Sequence, residues 1–324
     1  MQKNTRYSLL VTRHFSVAAL QRLKKTDWFR KICWGASFLT IATLVLIVYE
    51  ITRKALPAIE LFKFNFLISS QWQPNRDLYG VLPMLLGTLE SSFVAILIAL
   101  PLGLSMALFL SENFLPSPVR HALRFIVELL AATPSVVYGL WGIFVLVPLV
   151  QKYGAMITAH CGSIPFLKGP PNGYSLLTAS LVLALMLLPT ITAISRSTLM
   201  GLPSSLREGA YALGATRWET IFYVLLPSAA PGIVAATILA FGRAMGETMA
   251  VTMLIGNSQR LVSSLFSPSN TLSALLANQF GEASGLQISA LMYAALLLVM
   301  MTLGTNLVGE LVLRRTQKAT AQLS

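Results

Sequence analysis

Charge is scarce in this sequence. Only 11% of its 324 residues are Asp, Glu, Lys or Arg, less than half of the roughly 25% carried by an ordinary soluble domain. That shortage excludes a freely soluble globular chain, and the mean hydropathy of +0.69 places the sequence in the membrane class. Cysteine is nearly absent too. Cys33 and Cys161 are too few for a disulfide framework or a metal site. One is expected in lipid and the other in an outer loop, so they should not pair. The histidines His14, His121 and His160 are scattered, and His160-Cys161 reads as a loop dipeptide. No Gly-x-x-x-x-Gly-Lys-Ser/Thr loop is present, which excludes ATP binding of that kind. The apolar runs hold no His-Glu-x-x-His motif and no paired aspartates, which argues against an intramembrane enzyme. No cofactor is expected.

Long apolar runs are what the sequence has instead. Six are long enough to span a bilayer: residues 32–49, 84–110, 125–150, 176–194, 232–256 and 288–313. Each is near or beyond the roughly 20 residues that cross about 30 Å of hydrocarbon. The net charge of +12 would suggest nucleic acid in a soluble protein, but here it follows topology. With the N-terminus inside, 16 of the 24 Lys and Arg fall on the inner side. The positive-inside rule then predicts both termini in the cytosol, with basic segments against anionic lipid and no nucleic-acid partner. The basic arm before the first run is too long for a signal peptide, and Arg53-Lys54 follow that run without a small-residue cleavage site, so an uncleaved first span is expected.

Several features punctuate this plan. Gln73-Pro74-Asn75 and Tyr79-Gly80 mark turns in an outer loop over 50–80, and residues 168–174 mark another. Ser267-Pro268-Ser269-Asn270 reads as a helix start for a short amphipathic helix over 271–281. Pro101, Pro134, Pro148 and Pro189 fall inside spans, either as ordinary kinks or as breaks that shape a path. Arg124 and Glu128 are spaced for a local salt bridge.

Arg243 and Glu247 are the charges inside the fifth run. A charge at the bilayer centre costs about 2.5–3.5 kcal/mol on insertion scales, so this pair needs a reason to exist. Four-residue spacing puts both on one helix face. Gly242 and Gly246 beside them form a small-residue stripe that admits another helix. Two readings stand. The pair is a sealed structural ion bridge, or Arg243 offers its planar fork of donors to an oxyanion crossing the membrane. In the second reading Glu247 pairs with Arg243 when the path is empty, or accepts a hydrogen bond from a protonated oxyanion. Thr133 and Ser135, flanking Pro134, are secondary candidates for the path.

The loop over 202–227 is long for a membrane hairpin. Pro203-Ser204-Ser205 marks a helix start, Gly214 a stop, and a second helix is expected from near Thr216 towards Pro227. Its small residues suit a knob for a partner's groove; an amphipathic hairpin lying on lipid suits them equally.

The spacing of this loop resembles the EAA loop of ABC-importer permeases, in which Glu-Ala-Ala, three residues, Gly, nine residues, then Ile-x-Leu-Pro follow in order. Here Glu208-Gly209-Ala210 precede Gly214, nine residues follow, and Val224-Leu225-Leu226-Pro227 close the pattern. Gly209 and Val224 are the departures. Residues 127–143 (VELLAATPSVVYGLWGI), 241–252 (FGRAMGETMAVT), 74–81 (PNRDLYGV) and 273–286 (SALLANQFGEASGL) resemble the PstC-type permeases of the phosphate-specific ABC importer. The resemblance covers most of residues 70–310. It implies an all-α polytopic membrane protein of six transmembrane helices with a type I ABC-importer (MetI-like) permease core over 81–313. Charge and hydropathy add, before the core, a cytosolic basic arm over 1–31 and a first span with its outer loop over 32–80, and after it a cytosolic tail over 314–324. The resemblance also implies the function: one half of a phosphate path driven by ATP hydrolysis elsewhere, with Glu208, Gly209, Ala210 and Gly214 docking the ATPase. The implied partners are a PstA-type second permease, a PstB-type ATPase dimer and a PstS-type external phosphate-binding protein. A permease for another oxyanion and a purely structural membrane subunit are the alternatives.

Overall fold

The computed structural model describes residues 4–112, 114–161, 166, 168, 172–261 and 264–321. Among these the chain is helical almost throughout. In order come α1 (Asn4–Phe62), α2 (Asn65–Ile68), α3 (Leu82–Ser111), α4 (Ser117–Ala132), α5 (Ser135–Trp141), α6 (Val147–Cys161) and α7 (Leu176–Gly201). Then follow α8 (Ser204–Ala212), α9 (Arg217–Glu219), α10 (Leu226–Gly246), α11 (Met249–Leu254), α12 (Leu272–Gln279) and α13 (Leu286–Ala321). Residues 1–53 and 54–324 form two compact units. Residues 169–171 of the turn expected at 168–174 fall outside the described residues, as do the side chains of His14 and Cys161.

Six helical segments are long and apolar enough to cross a membrane: Trp28–Phe62, Leu82–Ser111, Ser135–His160, Leu176–Met200, Arg217–Gly246 and Leu286–Lys318. The large apolar side chains of the first, from Trp28 to Tyr49, are exposed, as befits a surface meeting hydrocarbon. This helix runs on to Phe62, well past the expected end at Tyr49. Backbone bonding continues through a more polar stretch in which Arg53 pairs with Glu50 at 3.0 Å. The loop beyond contains the expected turn, a 3₁₀ helix at Pro74–Arg76. Phe62, Phe66, Trp72, Tyr79 and Tyr293 pack there as an aromatic cluster.

In the larger unit α7 is central: 67% of its apolar window is buried, against 22% to 28% for the other spans there. Its closest seam is with α3. A Cβ on Gly103 would lie 2.9 Å from the Ile191 side chain, and the Thr192 hydroxyl donates across the seam to the Gly103 carbonyl at 3.2 Å. Glycine lets the two backbones approach until a hydroxyl can bridge them.

Spans three and five sit differently from the apolar runs. The third was expected over 125–150, but α4 ends at Ala132, and Thr133 and Pro134 are extended, with ψ of 127° and 145°. Pro134 therefore breaks the helix; it does not merely kink it. The start of the expected run belongs to the strongly amphipathic α4, and the span begins again at Ser135. The fifth was expected over 232–256 but begins at Arg217 and stops at Gly246, where Glu247 turns extended at ψ 126°. The remainder is the separate α11. Hydropathy counts apolar residues and is blind to both breaks.

Two π-helical turns complete the bundle, at Gly142–Leu146 and Thr220–Leu225. Each ends two residues before a proline, Pro148 and Pro227. A proline ring clashes with the carbonyl four residues earlier. Those carbonyls, of Phe144 and Tyr223, lie inside the widened turns, so the helix accommodates proline by loosening its ladder. Pro101 and Pro189 stay within continuous α-helix.

Candidate substrate path and coupling loop

Both helix breaks are closed by side chains, and they meet. At the first, the Thr133 hydroxyl donates to the Leu129 carbonyl at 2.9 Å and the Tyr138 hydroxyl to the Leu130 carbonyl at 2.8 Å. At the second, Thr248 donates to the Gly246 carbonyl at 3.2 Å, and Ser273 of α12 donates to the Glu247 carbonyl at 2.9 Å. Beyond the breaks α5 packs on α11. A Cβ on Gly139 would lie 2.6 Å from the Met253 sulfur, and one on Gly142 2.7 Å from Leu254. Two discontinuous helices thus face each other across a glycine-lined seam.

Arg243 stands in the last turn of α10, just before the second break. Its Nη1 donates to the Thr190 hydroxyl at 3.2 Å, near the middle of the 26-residue α7. The guanidinium is exposed on this chain. Thr133 and Ser135 lie at the first break, and neither bonds to Arg243. Thr190 is a neighbour that sequence reasoning does not single out. Thr190 adjoins Pro189, as Thr133 adjoins Pro134 in the reverse order at the first break, and that is the available signal.

The expected pairing of Arg243 with Glu247 does not form. Helix α10 ends between them, so four-residue spacing no longer puts them on one face. The Glu247 carboxylate instead accepts from the Ala250 backbone N–H at 3.5 Å, at the start of α11. The small-residue stripe is only half used: a Cβ on Gly242 would meet Asn306 of α13 at 3.2 Å, while one on Gly246 meets nothing within 4 Å.

The loop between α7 and α10 begins as its sequence suggested. Helix α8 spans Ser204–Ala212, and Gly214 takes φ +84°, the left-handed conformation that suits glycine. Thr216 then caps α9 in a capping box with Glu219. The second helix does not stop near Pro227; it runs through the π turn into the fifth span. Glu208, Gly209 and Gly214 are exposed, Ala210 is buried, and Leu213 stands 91% exposed at the tip.

The contacts that fix this loop were not legible. Arg207 of α8 binds Glu112, the residue after α3, at 2.8 Å through Nη2 and 3.2 Å through Nε. Its Nη2 also donates to the Leu199 carbonyl at 3.0 Å. The Arg217 guanidinium lies 3.8 Å from the centre of the Phe114 ring, a cation–π contact. Both tie the loop to the segment following α3, about a hundred positions away along the chain, so no local pattern announces them.

Six spans, a core of broken helices and a helical loop clamped to the bundle define the MetI-like permease fold of type I ABC importers. The bacterial alginate ABC transporter, solved with its alginate-bound periplasmic protein, shares it with a TM-score of 0.62 at 18% identity, covering 90% of this chain and 96% of that one. The inward-facing MetNI methionine transporter gives 0.52 at 20% identity, over 73% and 94%.

Sequence narrows the class. The family of binding-protein-dependent transport system inner membrane components matches residues 99–318. The phosphate transport system permease protein PstC of Haemophilus influenzae is 40% identical over 290 residues, 87% of this chain and 91% of its own. PstC of Mesorhizobium japonicum is 41% identical over 292 residues, 88% and 89% respectively. The chain belongs to the binding-protein-dependent transport system inner membrane components, among the PstC-type permeases. It is a multi-pass inner-membrane permease subunit, not an enzyme.

The Arg207–Glu112 pair is mostly buried, at 22% and 9% side-chain exposure. Arg207→Ala strands a buried carboxylate and costs about 3 kcal/mol, read as a lower thermal midpoint of the purified protein. Adding Glu112→Gln recovers part of that loss, with a coupling of about 1 kcal/mol or more in the double-mutant cycle. Additive losses would show that the two side chains act independently.

Proposed function

We propose that this chain forms half of the transmembrane path for inorganic phosphate in an ATP-driven importer. The observation that carries the reading is Arg243: a guanidinium at mid-length of the central helix, beside two broken helices and exposed where a second permease would complete a path. Transporter sites recur at such helix breaks near the bilayer midplane. The planar fork fits two oxygens of a tetrahedral anion, and the names of the relatives support phosphate as that anion. Thr133 and Ser135, at the facing break, add hydroxyls to the path. The sealed ion-pair alternative loses its support, because Glu247 is turned to α11.

The partners are a PstA-type permease, a PstB-type ATPase dimer and a PstS-type external binding protein. Both termini and the loop over 202–227 lie in the cytosol, in line with the excess of Lys and Arg on that side. The exposed face of Glu208 and Gly209, with the tip at Gly214, seats in the ATPase. Closure of the ATPase dimer moves α8, and the Arg207 clamp passes that motion to α3 and α7, alternating access to Arg243. The arginine attracts phosphate without holding it, since a path must also release its ion.

Arg243→Ala removes a charge-assisted hydrogen bond of about 1.5–3 kcal/mol, so uptake falls roughly tenfold or more while assembly and basal ATP hydrolysis persist. Normal phosphate flux into vesicles would sink the assignment. Gly214→Val forces a β-branched residue to positive φ. Substrate-stimulated ATP hydrolysis and uptake should fall together; survival of both would refute docking through this loop. Glu247 can accept a proton-bearing phosphate oxygen, which sulfate does not offer. Glu247→Gln should therefore narrow the preference for phosphate over sulfate, and unchanged competition by sulfate would remove this role.

A further inference from the structure

A second group of cations lies away from Arg243, where α3, α4 and α7 meet near the coupling loop. Arg120, His121 and Arg124 of α4 and Arg196 of α7 line a cavity of about 190 Å³ closed by Leu110 of α3. Three guanidinium groups from two helices around one small space are costly to assemble, because like charges repel. None of the lining residues is acidic. Glu128 pairs with Arg124 Nε at 2.7 Å on the exposed side of α4 and offsets that one charge, whereas Glu112, two residues beyond Leu110, holds Arg207 instead. The Arg120 fork is fixed by its Nη2 bond to the Leu115 carbonyl at 3.2 Å. Arg196 supplies the decisive observation. Its Nε is buried and has no hydrogen-bond partner, whereas buried donors are nearly always satisfied.

An anion with several oxygens would resolve both problems, offsetting the charge and giving Arg196 an acceptor. Guanidinium forks match tetrahedral oxyanions. The cavity is several times the roughly 30 Å³ share of one water, so a phosphate group fits. Arg196 lies six residues beyond Thr190 along α7, about 9 Å at 1.5 Å per residue, and on other neighbours, so this cavity is distinct from the path. It is also one turn before Leu199, whose carbonyl receives Arg207.

We propose that this cavity binds a phosphate group, either free inorganic phosphate or the phosphodiester of an anionic lipid headgroup. Its occupant braces the α3–α4–α7 junction on which the coupling helix is clamped. Binding is argued from the cavity alone; only its assignment to the cytosolic face rests on the topology proposed above.

The test uses the assembled importer carrying Arg243→Ala, so that phosphate in the path does not register. One arm titrates inorganic phosphate onto complexes in phosphatidylcholine discs, against chloride at equal ionic strength. The other replaces part of the lipid with phosphatidylglycerol and omits phosphate. The thermal midpoint should rise in at least one arm, and which arm responds identifies the source. Adding Arg196→Gln should raise the ligand concentration needed for that rise roughly tenfold or more, and Arg196→Lys, which keeps charge without the fork, by less. If Arg196→Gln does not assemble, Arg196→Lys alone makes the comparison. No rise in either arm, or a rise indifferent to both Arg196 substitutions, overturns the proposal.

Discussion

Hydrocarbon offers no partner to an open backbone group, and this constraint governs where the chain can depart from helix. Among the described residues two such departures fall inside apolar runs, at Thr133-Pro134 and at Gly246-Glu247. In both places hydroxyls from Thr133, Tyr138, Thr248 and Ser273 answer the freed carbonyls. The two breaks are also neighbours, since α5 and α11 pack on one another. Irregular backbone is thus gathered into one protected region, and Arg243 stands beside it.

The same economy explains how Arg243 is tolerated. It is bonded to one hydroxyl and otherwise exposed on this chain, a poor arrangement for a lone subunit in lipid. It suits a half-site awaiting a facing subunit. The segment after α11 contributes α12, which Thr271 caps by accepting from the Ala274 N–H and whose Ser273 hydroxyl reaches back to the break. At the other end the Arg207–Glu112 clamp and the Arg217–Phe114 stack make α8 and α9 extensions of the bundle. The surroundings of Arg243 and the loop over 202–227 are therefore joined by continuous packed structure through α3 and α7.

Much of this was legible in the sequence. Span number followed from apolar runs because burial in lipid needs only length and composition. The loop helices followed from Pro203, Gly214 and Thr216, and the short α12 from the turn residues Ser267 to Asn270, although its cap proves to be Thr271, because caps and turns are local chemistry. The breaks were not legible. Pro134 announced an interruption, but its severity depends on Tyr138 reaching back to Leu130. At Gly246-Glu247 no proline marks the place at all, and the tertiary bond from Ser273 holds it. Helical spacing consequently misplaced Glu247 on the face of Arg243. The clamp of Arg207 on Glu112 and the proximity of Arg196 to α4 lie further still from any sequence pattern, since each joins residues that only the folded bundle brings together.

The π turn at Thr220–Leu225 bears on how such a chain can change over generations. A π turn holds one residue more than the α ladder needs. Deleting a residue there restores regular α-helix without rotating the rest of the span. A deletion elsewhere in the fifth span turns every later side chain by about 100°, one residue's share of a 3.6-residue turn. The turn lies between the coupling loop and Arg243. Loop length can therefore drift by a residue while the arginine keeps its bearing, and the two ends of one helix are free to adapt separately.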